Sequence, residues 1–424
     1  MLTVSTRLIS YLSISLGVKV THYILIADQK PNKVLISVPN LYLYEKTRSS
    51  EQTSRRYSNV ISMFYRFLST QEKYSAIELA DYHTAVDNKD IRRWQVARQV
   101  ERVRKGSTKP SSATIFDDAT IVLNFFAWAK ESGFTTNVKI AFKTWIANFR
   151  SETLLSYIRK QSSVRINGDP IRVLDREARQ KRQLDLITND EIKLLLQSYP
   201  DPVYATLFCM GLATALRPLE LCAFPYAGTD KNKHIIPYSS MPDDHRQFSY
   251  TLVGKGRKVR TVKIPAYALR DIEDSYTKNE YPRRKRKYEV RYGKPCPPSI
   301  LFLNSEGEPI TPKMISDCTT YARKLAHRKD SSFRLSNNFY QARHWWPTMM
   351  MIQHHGESLM SSAADVLDAA FAQVLMNQMG HSKLATTYKH YLDLARVLTM
   401  TRQGHVNEII SEDFNIHAQI GNLA

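Results

Sequence analysis

Apolar positions three and four apart begin at residue 51, where Tyr57, Val60, Ile61, Phe64, Phe67 and Leu68 mark one face of a helix. The same period predicts a second helix from Asp90 to about Arg104. It predicts a third from Ser112 to Glu131, whose apolar side carries Ile115, Ile121, Leu123, Phe126 and Trp128. Ahead of these, β-branched and aromatic residues at Lys19 to Ile26 and Val34 to Val38 predict short strands, with Asp28, Pro31, Asn32 and Pro39 as turn punctuation. The pattern fades over residues 150–185, a charged stretch with Arg176, Arg179, Lys181 and Arg182 that reads as a linker.

Periodicity returns at Thr188, where Glu191 three residues on makes a capping box for a helix through Leu196. A strand and turn segment follows from His234 to Pro265. Gly254-Lys255-Gly256 sits between Tyr250 to Val253 and Val259 to Ile264 as a hairpin turn, because glycine tolerates the positive φ such turns demand. Pro295 to Pro298 form a stiff loop before Ile300 to Leu303, and helices resume after it. There is no internal repeat. The pattern gives a mainly α chain with a small β-sheet, an α+β fold. Its parts are an extension over 1–50, a helical domain over 51–150, a linker over 151–185, a second domain over 186–400 and a tail over 401–424.

Composition adds a partner class. Lys and Arg number 60 against 40 Asp and Glu in 424 residues, a formal charge of +20, and such an excess favours a polyanion through counterion release. Ribosome-associated and membrane-surface proteins share that balance. The apolar run Leu8 to Val18 is too short to span a bilayer and lacks a cleavage site, so a soluble intracellular protein is expected. Cys209, Cys222, Cys296 and Cys318 stand singly, which argues against a zinc site or a disulfide framework.

Chemistry concentrates in four phrases. Arg217 precedes Pro218 at a helix start, with Glu220 one turn on to hold its guanidinium; a surface ion pair is the plain alternative. Arg343 and His344 lie between Phe339-Tyr340 and Trp345-Trp346, where packing alone would also account for them. Gly380 closes a helix ahead of His381, and Tyr388 and Tyr391 share a helix face further on. The basic segments Arg257, Lys258 and Arg260, and Arg283, Arg284, Lys285 and Arg286, are candidate phosphate contacts, though a charge run is often only a solvated face.

Taken in order, Ala215 to Leu221, Val253 to Lys258, Arg343 to Thr348 and Gly380 to Tyr391 resemble the boxes of the tyrosine recombinase (phage integrase) family. The resemblance covers roughly residues 186–400, and the helical region before it fits the family's core-DNA-binding domain. It implies a catalytic set of Arg217, Lys255, Tyr340, Arg343, His381 and Tyr391, with Glu220 and His344 in support and neither metal nor cofactor. Arg217 and Arg343 would neutralise a DNA phosphate, and Tyr391 would attack it to leave a 3′-phosphotyrosine. Lys255 would protonate the departing 5′-oxygen. Tyr340 stands where the family usually has histidine. Tyr391 lies ten residues after His381 and Tyr388 seven, against nine or ten in the family.

Double-stranded DNA is the implied partner, bound by a homotetramer whose tails, with Leu392, Leu394, Val397 and Leu398, exchange between protomers or pack at home. Accessory recombination proteins, integration or excision of a mobile element, and a cytoplasmic, nucleoid-associated location with no membrane role complete the expectation. The alternatives are a type IB topoisomerase or telomere resolvase, and a DNA-binding relative without catalysis.

Overall fold

The computed structural model describes residues 3–14, 17–29, 32–143, 165–173, 186–242, 246–254, 258–356, 359, 369–381, 391, 392, 394–396, 398 and 399. These fall into two compact units, one over Met1–Ile146 and Ser162–Arg182 and the other over Ala147–Gln161 and Gln183–Ala424. Among the described residues, no helix is long and apolar enough to cross a membrane.

The first unit opens with three antiparallel strands, β1 (Thr3–Ser13), β2 (Val18–Gln29) and β3 (Asn32–Leu35), in that spatial order. Helices α1 (Ser37–Thr47), α2 (Glu51–Leu68), α3 (Asn88–Arg104) and α4 (Ser112–Glu131) follow. One core joins sheet and helices, with Val4, Leu25 and Ala27 buried alongside Ile61, Phe64, Trp94 and Phe126. The Phe64 and Trp94 rings meet edge to face at 5.2 Å. Side chains close part of the open edge of β2. Asn40 accepts from Leu25 N–H at 2.7 Å and donates to its carbonyl at 2.9 Å, while Ser54 Oγ accepts from Tyr23 N–H at 2.8 Å.

The strand expected over Val34 to Val38 stops at Leu35, and Pro39 lies in the first turn of α1 rather than in a loop. Proline is tolerated there because a first-turn N–H has no intrahelical partner. Within the stretch read as a linker, Ile171 is buried in the first unit's core and its carbonyl accepts from Gln95 Nε2 at 2.7 Å. Arg176, Arg179, Lys181 and Arg182 lie outside the described residues.

Among the described residues of the second unit, the first helix is α5 (Asn189–Leu196), capped by Thr188 and Glu191 as their spacing predicts. Helix α6 (Pro202–Thr214) is buried on nearly every side. The short α7 (Pro218–Cys222) leads toward the hairpin of β4 (Gln247–Val253) and β5 (Val259–Pro265), then α8 (Ala266–Ile272). Helices α9 (Tyr281–Tyr292), α10 (Pro312–Lys329), α11 (Gln341–His355) and α12 (Ala369–Met379) follow. Leu392, Leu394 and Ala395 are buried in this unit's core and Leu398 packs against it; Val397 lies outside the described residues.

One expected DNA contact is overturned here. Arg284 on α9 is only 2% exposed; its guanidinium forks onto Asp201 at 2.8 and 3.0 Å and bonds Glu280 at 2.8 Å and the Leu303 carbonyl at 2.9 Å. Every third or fourth residue of α9 faces the core, and Arg284 falls between buried Tyr281 and Tyr288 on that face. Its charge is consumed by carboxylates and cannot reach a phosphate. Arg283, Lys285 and Arg286 stay exposed. Arg284→Ala should lower the unfolding free energy by about 1–3 kcal/mol, because it leaves the half-buried Asp201 and Glu280 carboxylates and the Leu303 carbonyl without their shared donor, whereas Arg286→Ala should change it by less than about 0.5 kcal/mol. Urea titration followed by circular dichroism measures both.

Candidate active site

Helix α6 ends at Ala215, which takes the left-handed conformation with φ 55° and so turns the chain sharply into Leu216 and Arg217. A non-glycine residue there is strained, and the carbonyl it exposes accepts a hydrogen bond from Arg343 Nη1. Arg217 then caps α7, its backbone N–H donating to Glu220 Oε2 at 2.9 Å and its Nη1 to Oε1 at 2.9 Å.

Glu220 is shared. From β5, Arg260 forks onto the same carboxylate with both contacts at 2.8 Å. Burial alone pushes the Glu220 carboxyl up, but the Arg260 and Arg217 bonds more than offset it and hold it at about 2. Arg260 was expected as an outlying phosphate contact. The structure instead gives it an inward place in the cluster, because its position on β5 points it at α7.

Two glycines make the packing possible. Gly380, just past α12, has φ 60°, and a side chain there would start 2.7 Å from the Arg260 guanidinium. Its carbonyl accepts from Arg217 Nη2 at 3.1 Å. Gly254, at the end of β4, lies against the same group, since an added Cβ would be 2.5 Å from Arg260 Nη1 and 3.3 Å from Glu220 Oε1. The hairpin turn therefore leaves from the edge of the cluster. Lys255 and Arg257 lie outside the described residues; Lys258 is exposed and its carbonyl closes the turn onto Gly254 N–H at 2.8 Å.

Arg343 comes from the first turn of α11 and is 2% exposed. Besides Ala215, it donates to the Met379 carbonyl, and its Nη2 lies 3.3 Å from His381 Nε2. Arginine has no acceptor, so His381 accepts at Nε2 and carries its proton on Nδ1 when neutral. Burial and then the neighbouring Arg217 draw the Arg343 guanidinium down to about 10. Burial and then Arg343 draw the His381 imidazole down to about 4. Beyond burial, both shifts share a second cause: three buried or half-buried guanidiniums face a single carboxylate, and the cluster is short of negative charge.

Gln378, which the motif reading did not single out, ties these elements together. It donates to the Thr214 and Lys263 carbonyls at 2.9 and 3.0 Å and accepts from Lys263 N–H at 2.9 Å, joining α12 to α6 and β5.

Tyr391 is 2% exposed, with its Oη 3.4 Å from His344 Nδ1. Burial raises its phenol to about 12, against the opposing pull of Arg343. Tyr340 caps α11 and is 42% exposed, its ring edge-on to His344 at 5.2 Å and 6.0 Å from Arg343 Cζ. Thus Arg217, Glu220, Tyr340, Arg343, His344, His381 and Tyr391 come together from four separate segments. Tyr388 lies outside the described residues, and among the described residues no group of His, Cys, Asp and Glu is placed to hold a metal ion.

No family model and no curated protein matches the chain. Among solved structures it is similar to the XerH site-specific recombinase bound to palindromic difH substrate in a post-cleavage complex, at 14% identity over 83% of this chain and 79% of that one, with a TM-score of 0.48. It is similar to the Tn1549 transposon integrase in complex with a circular intermediate DNA, at 14% identity over 87% and 99% and a TM-score of 0.47. A lambda integrase dimer bound to a COC′ core site shares 14% identity over 85% and 95%, with a TM-score of 0.44. At that level of likeness no residue is assigned a role by comparison.

The two depressed groups set a pH dependence. Glu220, at about 2 in place of the usual 4.5, contributes stability that is present above pH 4.5 and lost as pH falls toward 2. His381, at about 4 in place of 6.5, contributes stability present above pH 6.5 and lost as pH falls toward 4, where the buried ring must charge. Melting temperatures measured from pH 7 to pH 3 should fall in both windows. His381→Gln should flatten the limb between 6.5 and 4 and leave the lower one.

Proposed function

We propose that this chain is a site-specific DNA recombinase of the tyrosine recombinase type, cutting and rejoining strands through a phosphotyrosine at Tyr391. The observation that carries the reading is the excess of positive charge at Arg217, Arg343 and Arg260 around a carboxylate already spoken for, beside a buried tyrosine hydroxyl. Such a cluster is completed by an anion. A phosphodiester fits it, since its non-bridging oxygens accept from guanidinium N–H groups and gain charge as the phosphorus becomes five-coordinate.

In this reading Arg217 and Arg343 hold the phosphate, and neutral His381 donates from Nδ1–H. Tyr391 Oη attacks phosphorus, the bond to the 5′-oxygen breaks, and Lys255 supplies the proton that oxygen takes up. The 3′-phosphotyrosine conserves the energy of the broken bond, so a second 5′-hydroxyl can reverse the step. Exposed Arg283, Lys285 and Arg286 add phosphate contacts that position DNA without reading its sequence. The duplex is the partner of a homotetramer, and integration or excision of a mobile element is the setting.

The test is a nicked suicide duplex carrying the ends of the chain's own element. The native chain should form a denaturant-resistant adduct and Tyr391→Phe none. Arg343→Lys should slow adduct formation by about 10²–10³-fold, as for loss of one transition-state donor. A native chain that binds the duplex without forming an adduct would instead favour a DNA-binding relative without catalysis.

A further inference from the structure

The reaction above needs a proton acceptor for Tyr391, and the residues first expected around the nucleophile do not provide one. A phenol raised by burial toward 12 is fully protonated at neutral pH. His381 is occupied at Nε2 by Arg343 and is a weak base in its cationic surroundings. Tyr340, where a histidine would be usual, brings a hydroxyl in place of an imidazole nitrogen. Among the described residues, Nδ1 of His344 lies 3.4 Å from Tyr391 Oη.

We propose that His344, through Nδ1, is the general base that takes the Tyr391 proton, replacing the function that Tyr340 cannot supply. The inference rests on the recombinase reading. Its geometry follows from α11: consecutive residues of one helical turn point Arg343 into the guanidinium cluster and His344 toward Tyr391. The imidazole is braced by the Tyr340 ring one turn earlier, edge-on at 5.2 Å with a 65° interplanar angle, and lies 6.0 Å from the Tyr391 ring, centroid to centroid. Among the described residues it faces Tyr340 and Tyr391, shares a helical turn with Arg343, and feels the charge of His381 from the segment after α12.

The step balances. The Oη–H bond breaks as the proton moves to Nδ1, the Oη–P bond forms and the P–O5′ bond breaks. The reverse step returns the proton from the imidazolium to Oη. Charge gained by the ring is opposed by the nearby guanidiniums and favoured by the anionic phosphate that arrives with DNA.

The experiment compares the native chain, His344→Asn and His344→Gln on the suicide duplex in single turnover, each with tyrosine or 3,5-difluorotyrosine at position 391. Asn keeps an acceptor near Nδ1 but takes up no proton, so it separates base catalysis from positioning. His344→Asn should slow adduct formation by about 100-fold or more with duplex affinity unchanged. Fluorination lowers the phenol pKa, so it should recover at least about 10-fold in both variants and change the native chain little. Gln provides the second variant should Asn disturb the helix turn. Adduct formation by His344→Asn within about three-fold of the native rate overturns the proposal, as does an equal effect of fluorination in all three chains. Absence of any adduct from the native chain on bound duplex marks failure of the recombinase reading itself, and the proposal falls with it.

Discussion

The Glu220 carboxylate is the fixed point of the second unit. It is buried, it accepts from the Arg217 backbone and guanidinium, and it accepts both arms of Arg260. A buried carboxylate is tolerable only when its lone pairs are met in this way. Because its partners come from α7 and β5, meeting them fixes the helix junction against the hairpin. Arg217 carries the constraint on to the Gly380 carbonyl, so the end of α12 is held by the same charge.

That arrangement spends one negative charge on two guanidiniums and leaves Arg343 with carbonyls and a histidine. Carbonyl dipoles orient Arg343 without neutralising it. Burial first, and the neighbouring guanidiniums after it, draw the Arg343 and His381 groups down. The strained turn at Ala215, with φ 55°, presents its carbonyl to Arg343.

The contrast between Arg260 and Arg284 shows how little a basic residue's type says about its task. Both meet carboxylates in forked geometry and both are shielded. Arg284 is closed off by Asp201, Glu280 and the Tyr276 ring, and it stabilises α9 against the start of α6. Arg260 shares its carboxylate with Arg217, so the pair together keeps an excess of positive charge beside Gly380. The difference lies in the ratio of acids to bases around each guanidinium.

Local spacing determined what could be read without coordinates. The helix from Ser112 to Glu131, the Thr188 and Glu191 capping box and the Arg217 and Glu220 pair all depend on residues within one or a few turns, where backbone geometry fixes who meets whom. The ordered boxes also carried Arg343, His381 and Tyr391 as candidates, by resemblance. Tertiary structure alone decided that Arg284 is structural, since Asp201 stands 83 positions away, and that Arg260 belongs to Glu220, 40 positions away. It alone set His344 against Tyr391, 47 positions apart, and turned Pro39 from loop punctuation into a helix start. Charge, unlike helical period, acts through space, and its partners are known only once the chain has brought distant segments together.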